Sequence, residues 1–365
     1  MLNRRHLLRS AAAAAVGAAF MRSASAQEST RDPPGTTPPP RDWDNPATVV
    51  YPDPAFEVFD QRFAKYNAGT TEIRRLWTGA EWTEGPVYFG DMHSVIFADI
   101  PNNRMLRYDE LTGKTTVFRQ PSNFVNGSTR DWEGRLISCE QGTRRVTRTE
   151  YTGDITVLVD KYQDKRLNSP NGVVVKRDGT IWFTDPTYGI EGDHEGHRAE
   201  PELPRNVYRF DPKSGTLTVA VGDFSQPNGI CFSPDEAKLY ISDTGALGGP
   251  APKHTWIRVF DVGEDGKLSN DRVFHDFKDT GTYIADDLRV DQDGNLWCAG
   301  GWAENKNMNG VSVFAPDGTP IGRIVLPEVA ANLCFGGMDH EHSRLYITAS
   351  TSLYAVYTGA RGVEL

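Results

Sequence analysis

Short apolar runs recur along the whole chain between polar gaps, and no long segment keeps the 3.6-residue apolar period of an amphipathic helix. Six segments open on an acidic or amide residue: EGPVYF at Glu84, NGSTRD at Asn126, NGVVVK at Asn171, NGICFS at Asn228, DDLRVD at Asp286 and NLCFGG at Asn332. A second run follows each of them (SVIFAD, RLISCE, TIWFTD, KLYISD, NLWCAG, RLYITA), and then, after a variable loop, a third (RMLRYD, RRVTRT, NVYRFD, IRVFDV, GVSVFA, SLYAVY). Six units of about 40 to 60 residues with some four short strands each predict an all-β protein, a six-bladed β-propeller. The last unit stops after its third strand, at Tyr357. Its fourth strand has to come from elsewhere, and EIRRLWT, Glu72 to Thr78, is the expected donor. An N-terminal strand closing the last blade removes an exposed sheet edge.

The first residues read differently. MLNRRHLLRSAAAAAVGAAFMRSASAQ has a basic start, an Ala-rich apolar run and an A-x-A ending at Ala24 to Ala26, the pattern of a cleaved export signal over residues 1–26. Arg4 and Arg5 make it similar to a twin-arginine leader, which implies the twin-arginine export machinery as a partner and a periplasmic location. Residues 27–50 are Pro-rich and polar and are expected to be a linker. The propeller domain is then 51–365, with no stable membrane span after cleavage.

Charge and cysteines narrow the classes. A formal net charge of -10 argues against nucleic-acid binding, which needs a basic face. Cys139, Cys231, Cys298 and Cys334 each fall in a different expected strand, so free buried thiols are expected. No CxxC or HExxH spacing occurs, which removes the common zinc sites.

In a propeller the first strand of each blade lines the central channel, so the residue at its start faces the axis. Those residues are Glu84, Asn126, Asn171, Asn228, Asp286 and, less clearly, Asn332. Carboxylates and amide oxygens converging on one point need a partner, and a divalent cation supplies it. Hard oxygen ligands without His or Cys favour Ca²⁺, with Mg²⁺, Mn²⁺ or Zn²⁺ as alternatives. Glu84, Asn171, Asn228 and Asp286 are the expected ligands. Asp99, Asp185 and Asp243, at the ends of second strands, are expected to cap turns. The loops over 186–206, 244–255 and 301–309 are expected to rim the ion's side of the channel. They carry Tyr188, His194, His197 and Trp302 as candidates for the pocket wall.

With EGPVYF, SPNGVVV, DGTIWFTDPTYG, QPNGICFSPD, LYISDT and NLCFGG in view, the sequence resembles the family of gluconolactonases, senescence marker protein and luciferin-regenerating enzyme, from about Tyr51 onward. The resemblance implies a six-bladed propeller with a central divalent ion. It places the family's ligand Glu on Glu84, its two ligand asparagines on Asn171 and Asn228, and its ligand aspartate, also the proposed general base, on Asp286. Two positions depart from the pattern. Ser169 stands where animal lactonases carry an arginine, and the family's Asp-Gly is here Asp286-Asp287. The expected activity is metal-dependent hydrolysis of a small-molecule lactone, most directly a sugar lactone, with Asp286 as catalytic base and Asn126, Asn171, Tyr188 and Trp302 near the substrate. A phosphotriesterase similar to diisopropyl fluorophosphatase, or a non-catalytic propeller binding a sugar or a partner protein, stays open at this point.

Overall fold

The computed structural model describes residues 41–45, 49–245, 254–280, 283–339 and 342–363. The expected export signal, and the expected linker as far as residue 40, lie outside them. Six antiparallel sheets follow one another, and in the first four the strand order from the inner strand outward matches sequence order, while blades five and six each take their outermost strand from the N-terminal side. Their inner strands are Thr83–Phe89, Val125–Arg130, Val173–Val175, Pro227–Phe232, Ile284–Val290 and Ala330–Gly336. Second strands such as Ser94–Asp99 and Leu296–Gly301 are buried at every position, because a neighbouring blade covers each face. Fourth strands such as Lys114–Arg119 are mostly exposed and correspondingly polar.

The last blade is closed as expected. Arg74–Thr78 pairs antiparallel with Ser352–Tyr357, placing Arg74 opposite Ala355. Two features are additional to the repeat. Phe56–Val58 adds a fifth strand to blade five by pairing with Pro320–Val325, and a small hairpin, Lys161–Tyr162 with Lys165–Arg166, joins blades two and three. The stretch expected to be a linker is not one throughout. Trp43 packs edge-on against Tyr354 with ring centroids 5.5 Å apart, and Asp44 pairs with Arg75. An indole that can bury its ring on the last blade has reason to leave solvent.

Apolar packing is divided among the seams between blades. Val87 and Ile96 meet Val125 and Leu136 between blades one and two, and Phe183 meets Cys139 between two and three. Trp182 meets Ile230 between three and four, and Tyr240 meets Leu288 between four and five. Between five and six, Trp297, Phe335 and Tyr354 gather Phe63 and Tyr66 from the short N-terminal helix Gln61–Ala64 and its flank. Tyr88 stacks on Tyr346 at 5.9 Å across the seam that completes the circle. The four cysteines are free and buried, as expected. Among the described residues no helix is long and apolar enough to cross a membrane.

Candidate functional site

Each channel-facing residue sits where the inner strand breaks register with the second strand. Bulges lie between Glu84 and Val87, Val125 and Ser128, Pro227 and Ile230, Ala285 and Leu288, and Ala330 and Asn332. A bulge turns a side chain out of the pleat and strengthens local twist, which here aims one polar residue per blade at the axis. In blade three the strand begins later, and Asn171 N instead donates to Thr184 O at 2.9 Å.

The recurrent Gly after the polar residue has a steric cause. A Cβ on Gly85 would lie 2.0 Å from Asn126 O, on Gly127 2.2 Å from Asn171 O, on Gly172 2.6 Å from Asn228 O, and on Gly229 2.5 Å from Asp286 O. Blades one to four thus each wedge a glycine under the backbone of the next ring residue. Hydroxyls complete the link. Thr184 Oγ1 donates to Asn228 O at 2.7 Å and Ser242 Oγ donates to Asp286 O at 2.6 Å. The repeated aspartates act one step further out, as turn caps. Asp99 Oδ1 accepts Glu81 N, Asp185 Oδ2 accepts Asn168 N, and Asp243 accepts Ser225 N and Gln226 N.

Side chains then meet across the ring. Asn228 Nδ2 donates to Asp286 Oδ1 at 2.7 Å. Asn332 Nδ2 donates both to Glu84 Oε2, at 2.9 Å, and to Asp287 Oδ2, at 2.5 Å. Glu84, Asn126, Asn171, Asn228, Asp287 and Asn332 are all 6% exposed or less, while Asp286 is partly open. Burial, and then the charge of Asp287, push the Glu84 carboxyl up to about 8. Burial, followed by the charges of Glu84 and Asp287, holds Asp286 well above the usual carboxylate range. Asn126 Oδ1 is buried without a hydrogen-bond partner among the described residues.

The rim is partly as expected. Ser169 Oγ donates to Pro186 O at 2.7 Å and accepts Gly189 N at 3.1 Å, so this residue anchors the 186–206 loop. Tyr188 hydrogen-bonds Thr244, and its phenol is raised mainly by burial, with a contribution from the charge of Asp286. Trp302 lies farther out, 45% exposed and stacked on Trp82 at 5.8 Å. His197 packs edge-on against Phe124, and His194 is exposed. Glu195 was not singled out by sequence reasoning. Its charge raises both Glu84 and Asp286, which puts its carboxylate on the ring's side of the loop. A lone acid in a polar loop gave no signal of that. Asp287 and Asn332 were similarly under-read, since their direction depends on the bulges.

A cavity of about 100 Å³ lies at the other end of the inner strands, among Val87, Val175, Phe232 and Arg289. Its walls are mainly apolar, and it holds none of the ring carboxylates.

Among the described residues no group of three or more His, Cys, Asp or Glu side chains forms a metal cage. The ring instead mixes carboxylates with carboxamides. Two carboxylates with proton affinities raised by burial and by neighbouring carboxylates, together with an orphaned amide oxygen at another ring position, are what a divalent cation would satisfy. The donor set fits one.

A family profile described as SMP-30/Gluconolactonase/LRE-like region matches residues 82–351. A gluconolactonase of Zymomonas mobilis subsp. mobilis is 29% identical over 314 residues, covering 80% of this chain and 83% of the other. A pentonolactonase of Haloferax volcanii is 28% identical over 286 residues, covering 77% and 85%. Among solved structures, a gluconolactonase from Xanthomonas campestris is 34% identical, covers 83% of this chain and 94% of that one, and superposes with a TM-score of 0.74.

Proposed function

Because the chain belongs to the SMP-30/gluconolactonase/LRE-like family, we propose that it hydrolyses a lactone at the channel ring, and that the substrate is a sugar lactone such as gluconolactone. Two relatives matched over most of this chain are a gluconolactonase and a pentonolactonase, which motivates the substrate class. The observation that carries the reading is the convergence of Glu84 and Asp286, from blades one and five, with both carboxyls raised first by burial, Glu84 next by the charge of Asp287, and Asp286 by the charges of Glu84 and Asp287.

Glu84, Asn171, Asn228 and Asp286 would hold one divalent cation, with Ca²⁺ the first choice for hard oxygen donors. When bound, the cation supplies Lewis acidity at the ester carbonyl. The rest falls to the chain's own groups. Asp286 Oδ1 is occupied by Asn228, so Oδ2 is assigned the proton of the attacking water. Asn126 Oδ1, buried and unpartnered, is suited to accept a substrate hydroxyl. Asn171, the next residue of the ring, and Tyr188, at the start of the 186–206 loop, are assigned to substrate binding, and Glu195 adds a further carboxylate from that loop. Trp302 contributes to substrate binding only from the outer rim. Twin-arginine export to the periplasm completes the proposal and rests on the pattern of residues 1–26.

The test is hydrolysis of δ- and γ-lactones and of a phosphotriester by wild type and Asp286→Asn, each with added Ca²⁺ and with chelator. Lactone turnover by the wild type should fall by roughly 10²-fold or more in the variant. Full rate in the variant at saturating cation removes Asp286 from the base role. Turnover of the phosphotriester alone replaces the substrate class, and a chelator that lowers only the melting temperature leaves a binding propeller.

A further inference from the structure

Two ring residues are not followed by glycine, Asn332, which precedes Leu333, and Asp286, whose successor is itself acidic. After Glu84, Asn126, Asn171 and Asn228 the next residue is glycine, but after Asp286 it is Asp287, and the would-be Cβ of Gly229 falls 2.5 Å from Asp287 Cα. Asp287 is therefore packed against blade four through its Cα and Oδ1, while its Oδ2 reaches Asn332 on blade six.

Every oxygen of that carboxylate is engaged. Oδ1 accepts Leu288 N at 2.6 Å and Arg289 Nη1 at 3.1 Å, and Oδ2 accepts Asn332 Nδ2 at 2.5 Å. Asn332 is equally committed. Its Nδ2 spans Asp287 and Glu84, one proton to each, and its Oδ1 accepts Leu333 N at 2.8 Å. An amide fixed in this way turns its nitrogen to the two carboxylates and its oxygen to the backbone. Leu333 N takes one lone pair of that oxygen and holds it towards the backbone of its own strand, away from the two carboxylates. Arg289, itself buried, offsets the charge that Asp287 brings.

We propose that Arg289, Asp287 and Asn332 form a positioning relay that sets the Glu84 carboxylate for a divalent cation, and that neither Asp287 nor Asn332 is itself a ligand. The inference rests on the reading of the ring as a cation site. It resolves the sixth ring position, which sequence leaves ambiguous, as a holder. Groups that orient ligands in this way are commonly worth 10- to 100-fold in metal affinity.

The experiment measures Ca²⁺ affinity by calorimetry, and melting temperature without Ca²⁺, on the full chain. The proteins are wild type, Arg289→Met, Arg289→Lys, Asn332→Ala and the pair Arg289→Met with Asp287→Gly. Arg289→Met and Asn332→Ala should each weaken Ca²⁺ by about tenfold or more. Arg289→Lys should recover affinity to within about threefold, because Arg289 reaches Asp287 through a single nitrogen. The pair should weaken binding no further than Arg289→Met alone, since both act through one connection. Tighter binding in Arg289→Met would mean that a released Asp287 has joined the ligand set, and it overturns the proposal, as does unchanged affinity in Asn332→Ala. If Arg289→Met does not fold, Asn332→Ala decides. A wild type that binds no divalent cation refutes the cation reading and the relay with it, whereas a wild type that binds alongside indifferent variants refutes the relay alone.

Discussion

Asp185 illustrates how a single buried group ties structure to solution conditions. Burial pushes its carboxyl up to about 7, although the backbone N–H groups of Asn168 and Ser169 pull the other way. The folded value lies above the ordinary 3.8, so the folded protein holds this proton more tightly than the unfolded chain. That stabilisation is complete below about pH 4 and is lost as the pH rises to about 7, a change of roughly 4 kcal/mol at most. Asp185→Asn keeps an acceptor for Asn168 N and has nothing to titrate. Urea midpoints of the variant should therefore fall less steeply between pH 4 and 7 than those of the wild type, the remaining slope coming from Glu84 and Asp286. An equal slope in both would place the titration elsewhere. The ring glycines make a different point at this scale, because what they exclude is any Cβ at all. Asn-Gly is an ordinary turn dipeptide in other chains, and its cause here, the neighbouring blade's backbone carbonyl, is invisible until two blades are side by side.

At the level of strands, the closing segment Arg74–Thr78 bears the greatest responsibility. Without it, Ser352–Tyr357 would present unpaired N–H and C=O groups along a buried-type edge. A chain beginning at Gly79 should therefore melt without a cooperative transition and aggregate, whereas one beginning at Arg41 should melt like the full chain. Scanning calorimetry and light scattering check this, and a cooperative melt of the shorter chain at the same temperature would refute it. This strand was legible in sequence because the last repeat was one strand short. Phe56–Val58 was not, since three residues are too few to show alternation and the outer strand they pair with had no motif. Asp287 was illegible for a sharper reason. A regular strand sends consecutive residues to opposite faces, but the bulge between Ala285 and Leu288 lets Asp286 reach Asn228 and Asp287 reach Asn332. Ser169 and Glu195 depend similarly on where the 186–206 loop folds back, as with His197 N donating to Gly189 O.

For the molecule as a whole, the proposed ligands come from blades one, three, four and five, so a cation there would join separate seams of apolar packing. Ligand held only by the folded state stabilises it by mass action, about 2.7 kcal/mol at a hundredfold excess over the dissociation constant. Chelation should then lower the melting temperature by several degrees, and Ca²⁺ should restore it in a concentration-dependent way. A melting temperature indifferent to both would remove the cation from the structural account. The wedge of each glycine beneath its neighbour's carbonyl carries a last implication, for inheritance. The 186–206 rim loop is anchored at Ser169, outside the hoop. Such a loop can change and admit new substrates, while a single added methyl at Gly85, Gly127, Gly172 or Gly229 would jam the hoop itself.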